Sequence, residues 1–174
     1  MNAQDSSGKG FRRRHVVIAV IAAGMLAALA YVLQLRPAAP DATFVALDGT
    51  RTSTRELRGK VVFVNFWATS CTTCIKEMPE VVKTYQRFAP RGFELLAVAM
   101  SYDPPQYVRE YAHQHQLPFK VVLDSDGTIA AAFDNVSLTP TAVLIDKDGR
   151  IMRRIVGEPD FPALHALVEQ ELQR

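Results

Sequence analysis

Lys60-Val-Val-Phe-Val-Asn-Phe-Trp-Ala-Thr-Ser-Cys-Thr-Thr-Cys-Ile-Lys-Glu-Met-Pro79 is the stretch whose reading decides the fold. Its first half, residues 61–67, is almost continuously apolar, β-branched or aromatic. That is the composition of a strand buried on both faces of a sheet. From about Thr72 the period changes: Ile75, Met78, Val82, Tyr85 and Phe88 recur at three or four residues, as on one face of a helix. Pro79 falls inside that helix, where a kink is expected. Cys71 and Cys74, the only cysteines, sit where the strand gives way to the helix.

Working outward, residues 43–47 read as a short strand closed by the turn pair Asp48-Gly49. Residues 52–57 fit a helical turn as well as anything else. Downstream, 93–100 reads as a second buried strand. Residues 104–116 read as a helix opened by proline, and 120–123 as a third central strand. A short helix over 128–133 follows, then a strand over 141–146. Asp148-Gly149 turns into a partner strand over 150–156, and an amphipathic helix over 161–172 closes the chain. Alternating strands and helices predict an α/β fold with a mixed sheet.

Two cysteines separated by two residues can be zinc ligands, a structural disulfide or a redox couple. A closed zinc site needs roughly four ligands. The remaining candidates in the domain are His113, His115 and His165, of which the first two face different ways on one helix. A disulfide closing so small a loop restrains the unfolded chain little. The redox reading has a mechanism. Free N–H groups and the dipole at a helix start favour an anion, which stabilises the thiolate that attacks disulfides. Cys71 is then the nucleophile, and Cys74, one turn on, resolves the mixed disulfide.

The quoted stretch resembles the membrane-anchored, thioredoxin-like TlpA/ResA family, and the resemblance extends from about Asp41 to Arg174. It implies a thioredoxin-like fold with an N-terminal strand extension and a helix–strand insertion over 104–123. It implies exchange of electrons with client protein disulfides, including those of apocytochrome c, supplied by a thiol-disulfide donor in the membrane. No cofactor is implied beyond the Cys71–Cys74 couple. The family carries a cis-proline before a strand, which matches Thr139-Pro140 here, and that loop, together with Trp67, would bind the client. Glu77 matches an acid that tunes the thiols or relays a proton; from spacing alone it reads equally as a solvated helix charge. Asn65 stands where cytoplasmic thioredoxins carry a buried acid. Ser70 and Thr73 depart from the Trp and Pro common in the family, which leaves the redox potential and partner open.

The N-terminal region carries the other signal. Residues 1–36 hold five basic side chains (Lys9, Arg12, Arg13, Arg14 and Arg36) against one acid, Asp5. The rest holds 15 basic and 17 acidic residues, which is no nucleic-acid footprint. Residues 16–33 contain no charge, close to the roughly 20 residues that cross a bilayer. The expected organisation is a cytoplasmic basic N-terminus (1–15), a transmembrane anchor or cleaved signal peptide (16–35), a linker (36–41) and a thioredoxin-like domain (42–174). Arginines on the near flank keep that flank cytoplasmic, so the domain is expected on the far side of the membrane; the resemblance implies a bacterial inner membrane and a periplasmic domain. Two other functions compete: a peroxidase, against which the stretch before Cys71 lacks the expected proline, and a copper-delivering protein of oxidase assembly, whose cysteines are usually spaced by three with an added histidine.

Overall fold

The computed structural model describes His15, Val16, Ile18, residues 20–26 and residues 36–174. The expected basic N-terminus lies outside the described residues except for His15, as do residues 17, 19 and 27–35 of the expected membrane segment. The described residues between 15 and 26 are helical. Among the described residues no helix is long and apolar enough to cross a membrane. Contacts divide the chain into two units, Met1–Arg36 and Pro37–Arg174; all that follows concerns the second.

Strand β3 (Val61–Trp67) is buried at all seven positions, because the sheet flanks it on both edges and helices or loops cover both faces. It pairs in parallel with β4 (Phe93–Ala99), from Val61↔Phe93 to Trp67↔Ala99. On its other side it pairs antiparallel with β6 (Thr141–Ile145), with Phe66 opposite Thr141. Adding β5 (Lys120–Leu123) beside β4 and β7 (Ile151–Val156) beside β6 completes a mixed sheet of order β5-β4-β3-β6-β7. A separate hairpin joins β1 (Thr43–Val45) to β2 (Arg51–Ser53).

Alternation along β3 sorts its side chains onto two layers. Val61, Phe63 and Trp67 pack with Cys74, Met78, Val81 and Phe88 of helix α1 (Thr72–Phe88), Val108 of α2 (Pro105–Gln114), and Leu164 and Val168 of α4 (Phe161–Gln173). Val62, Val64 and Phe66 pack with Phe44, Leu57, and Ile129 of α3 (Thr128–Ala132) and the following Phe133.

Two expectations change. The β5 strand lies at the sheet edge, not its centre. Its apolar character survives there because the chain after β1 covers it: Leu47 donates its N–H to the Val121 carbonyl at 2.9 Å, and Ala46 bridges Val122. Residues 52–57 form no helix; Thr52 and Ser53 pair with Phe44 and Thr43, and turns follow. Helix α1 runs from Thr72 to Phe88 through Pro79, which has no N–H to offer the Ile75 carbonyl. After α1, Gly92 takes a φ of 96°, a backbone that side-chain-bearing residues rarely adopt, and leads into β4.

Candidate active site

Sheet topology gathers three loops at one end: the residues after β3, those after β4, and those before β6. The first carries the cysteines. Cys71 donates its N–H to the Ala68 carbonyl at 3.1 Å and takes an extended backbone (φ −88°, ψ 102°) as the N-cap of α1. Its sulfur accepts the Cys74 N–H at 3.2 Å, as a capping side chain does. Cys71 and Cys74 are joined in a disulfide with their Cα atoms 5.2 Å apart.

The two sulfurs are not equivalent. Cys71 is partly exposed, whereas Cys74 is completely buried in the layer beneath. A partner can reach only the first. On reduction, the Cys71 thiolate would sit at the N-terminus of α1, facing a backbone donor and the positive end of the helix dipole.

Glu77 is the unusual group. It is 1% exposed, and neither carboxylate oxygen has a hydrogen-bond partner. Burial, with the nearby charge of Glu158 adding to it, pushes its pKa from 4.5 up to about 7. The solvated-charge reading of Glu77 is therefore wrong. A signal for its burial was present in the spacing: Cys74, Glu77, Met78 and Val81 share the buried stripe of α1.

Asn65 lies on the same side of β3 as Phe63 and Trp67 by alternation. It too is 1% exposed, with both amide atoms unpartnered. The layer between β3 and α1 thus holds an amide and a carboxyl that can carry a proton near neutral pH.

Trp67 does not present itself to a client. It is fully buried and packs against Tyr111 with ring centroids 5.3 Å apart. It ends a strand with both faces covered, so it belongs to the core that holds Cys74 and not to the surface.

The Thr139–Pro140 peptide bond is cis. Pro140 is buried, and its carbonyl accepts the Gly157 N–H at 2.8 Å. Thr139 remains half-exposed, leaving it as the part of this pair that can meet a partner. Its hydroxyl lies 3.1 Å from the Tyr102 hydroxyl. Asp103 accepts both the Thr69 N–H and the Thr69 hydroxyl, each at 2.6 Å. Sequence reading missed Tyr102 and Asp103, since an Asp-Pro pair before a helix reads as an ordinary turn.

The histidines play other parts. His165 lies 2.8 Å from the Thr84 hydroxyl and packs on Phe88; burial holds its pKa below the ordinary value. His115 stacks on Tyr111 at 4.1 Å. Among the described residues no group of three or more His, Cys, Asp or Glu is placed to hold a metal ion.

The Redoxin family model matches residues 36–168. Thiol-disulfide oxidoreductase ResA of Bacillus cereus (strain ZK / E33L) is 32% identical over 138 residues, covering 79% of this chain and 79% of that protein. ResA of Bacillus subtilis (strain 168) is 33% identical over 127 residues, or 73% and 70% of the two chains. Among solved structures, a thiol:disulfide interchange protein of the thioredoxin family from Chlorobium tepidum TLS superposes with a TM-score of 0.72. It is 27% identical, with 79% of this chain and 97% of that one covered.

Proposed function

The chain belongs to the redoxin family and is a thiol-disulfide oxidoreductase. On that premise we propose that it is a disulfide reductase working outside the cytoplasm, passing electrons to disulfides of client proteins, with apocytochrome c among the candidate clients. The observation that carries the reading is the inequality of the two sulfurs, a reachable Cys71 capping a helix and a buried Cys74 behind it.

The reaction starts from the dithiol. The Cys71 thiolate attacks one sulfur of the client disulfide. The client S–S bond breaks, a Cys71–client mixed disulfide forms, and the second client sulfur leaves as a thiolate and takes a proton. Cys74 then gives up its proton and attacks the Cys71 sulfur. The mixed disulfide breaks, the first client sulfur leaves and is protonated, and the Cys71–Cys74 disulfide forms. Two electrons reach the client, and a dithiol donor must return two to the protein.

Glu77 lies one helical turn from Cys74. A carboxyl with a pKa near 7 exists in both forms at neutral pH, which suits a group that takes the Cys74 proton and later returns it. The second-step thiol is buried, so water is a poor substitute for that acceptor.

Support for an extracytoplasmic site comes from the arginines at 12–14 followed by the uncharged run 16–33. In this reading, 16–35 is a membrane anchor or a signal peptide, and the donor is a thiol-disulfide protein of the same membrane. The test is trapping. Cys74→Ser in the reduced form should accumulate a mixed disulfide with a protein disulfide such as insulin, seen by mass on a non-reducing gel. Cys71→Ser should form none. Adduct formation through Cys74 in the Cys71→Ser protein would overturn the assignment.

A further inference from the structure

Tyr102 and Asp103 are adjacent in the loop after β4, yet they reach opposite ways. Asp103 is 4% exposed, and its two oxygens take the Thr69 N–H and hydroxyl. Thr69 stands two residues before Cys71, within the turn closed by Cys71 N–H and Ala68 carbonyl. Tyr102 is 56% exposed, and its hydroxyl meets that of Thr139 at 3.1 Å. Both residues are anchored to the sheet, since Met100 donates its N–H to the Trp67 carbonyl at 3.0 Å and Asp103 donates to the Met100 carbonyl at 2.9 Å.

We propose that Tyr102 and Asp103 are positioning residues that tie the cysteine loop to the Thr139–Pro140 loop and thereby select polypeptide disulfides over small ones. This rests on the reading of Cys71 as nucleophile. A small disulfide needs only the Cys71 sulfur. A polypeptide client carries its disulfide on a backbone that must also lie along Thr139, so its reactivity depends on the spacing of the two loops. Asp103 sets one side of that spacing through two short hydrogen bonds from Thr69. Tyr102 sets the other through the Thr139 hydroxyl, and its ring and the 65% exposed Leu138 are apolar surface.

The position and not the charge of Asp103 matters here. An asparagine can accept the Thr69 N–H and donate to the Thr69 hydroxyl oxygen, so it keeps the tie. An alanine cannot.

The experiment compares second-order rates of the reduced full-length protein with insulin and with oxidised glutathione. Tyr102→Phe and Asp103→Ala should each lower the insulin-to-glutathione ratio threefold or more, and Asp103→Asn should stay within twofold of wild type. Hydrogen exchange should quicken over residues 137–139 in Tyr102→Phe and over 68–70 in Asp103→Ala. An unchanged ratio in Tyr102→Phe, or Asp103→Asn as impaired as Asp103→Ala, overturns the proposal. Should Asp103→Ala not fold, Tyr102→Phe, on the surface, and the isosteric Asp103→Asn still decide it. A wild-type protein that reduced neither disulfide would refute the reductase reading, while the exchange rates would still show whether the two loops are tied.

Discussion

Replacing Glu77 by Gln removes a buried ionisation and should abolish the loss of stability that it causes as pH rises. The folded chain keeps a proton on Glu77 up to about pH 7, whereas the unfolded chain releases it near 4.5. Below about 4.5 both states are protonated and the group costs nothing. Between about 4.5 and 7 the folded state binds more protons than the unfolded one, so stability falls as pH rises. Above about 7 both are ionised and the loss is complete. A rise of about 2.5, at roughly 1.4 kcal/mol per pKa unit, amounts to roughly 3 kcal/mol. Glutamine has nearly the same shape and no charge. Glu77→Gln should therefore match wild type near pH 4.5 and exceed it by roughly 3 kcal/mol near pH 8. Guanidinium unfolding of the two oxidised proteins across that range measures the difference, with the single, fully buried Trp67 as fluorescent reporter. A difference that stays flat with pH would refute the claim that Glu77 is buried and unpartnered.

Other perturbations have equally definite outcomes. The same Glu77→Gln protein should resolve mixed disulfides more slowly, by roughly 10²-fold or more if Glu77 takes the Cys74 proton, while its first attack on a disulfide is little changed; stopped-flow kinetics separate the two steps. Leu144 is fully buried in β6, and Leu144→Ala should cost about 2–5 kcal/mol in denaturant unfolding. Lys60 and Lys120 lie 3.2 and 3.0 Å from Glu94, whose side chain is 7% exposed; replacing both by Met strands a buried carboxylate and should cost about 3–5 kcal/mol, more than either single change. Asp124 accepts the N–H groups of Ile129 and Ala130 at 2.9 and 2.8 Å. Asp124→Ala should lose about 1–3 kcal/mol and speed hydrogen exchange at the start of α3.

What the sequence revealed of this molecule was what depends on near neighbours. The run from Val61 to Trp67, the switch of period at Thr72 and the cysteines between them specify strand, helix and capping nucleophile within a span of 28 residues. Partner identity across the sheet is less local. The composition of β5 reports burial, and a covered edge buries a strand as well as a central position does, so its place could not be inferred. The tie between Thr69 and Asp103 spans 34 residues and leaves no periodic trace. The resemblance assigns Trp67 to the client site, whereas the run itself reads as a strand buried on both faces, and as its last residue Trp67 turns inward. Glu77 was underestimated for the converse reason: a charge on a helix is usually solvated, and only the company of Cys74, Met78 and Val81 on its stripe argues otherwise.

Direction of electron flow is the central claim, and it is tested most directly by the reduction potential of the Cys71–Cys74 couple. Equilibration of the protein with dithiothreitol or glutathione buffers, read by thiol alkylation and mass, gives that potential. A reductase of client disulfides should lie at or below about −220 mV, toward the thioredoxin end of the range. A value near −120 mV, that of a strong oxidant, would contradict the reductase assignment.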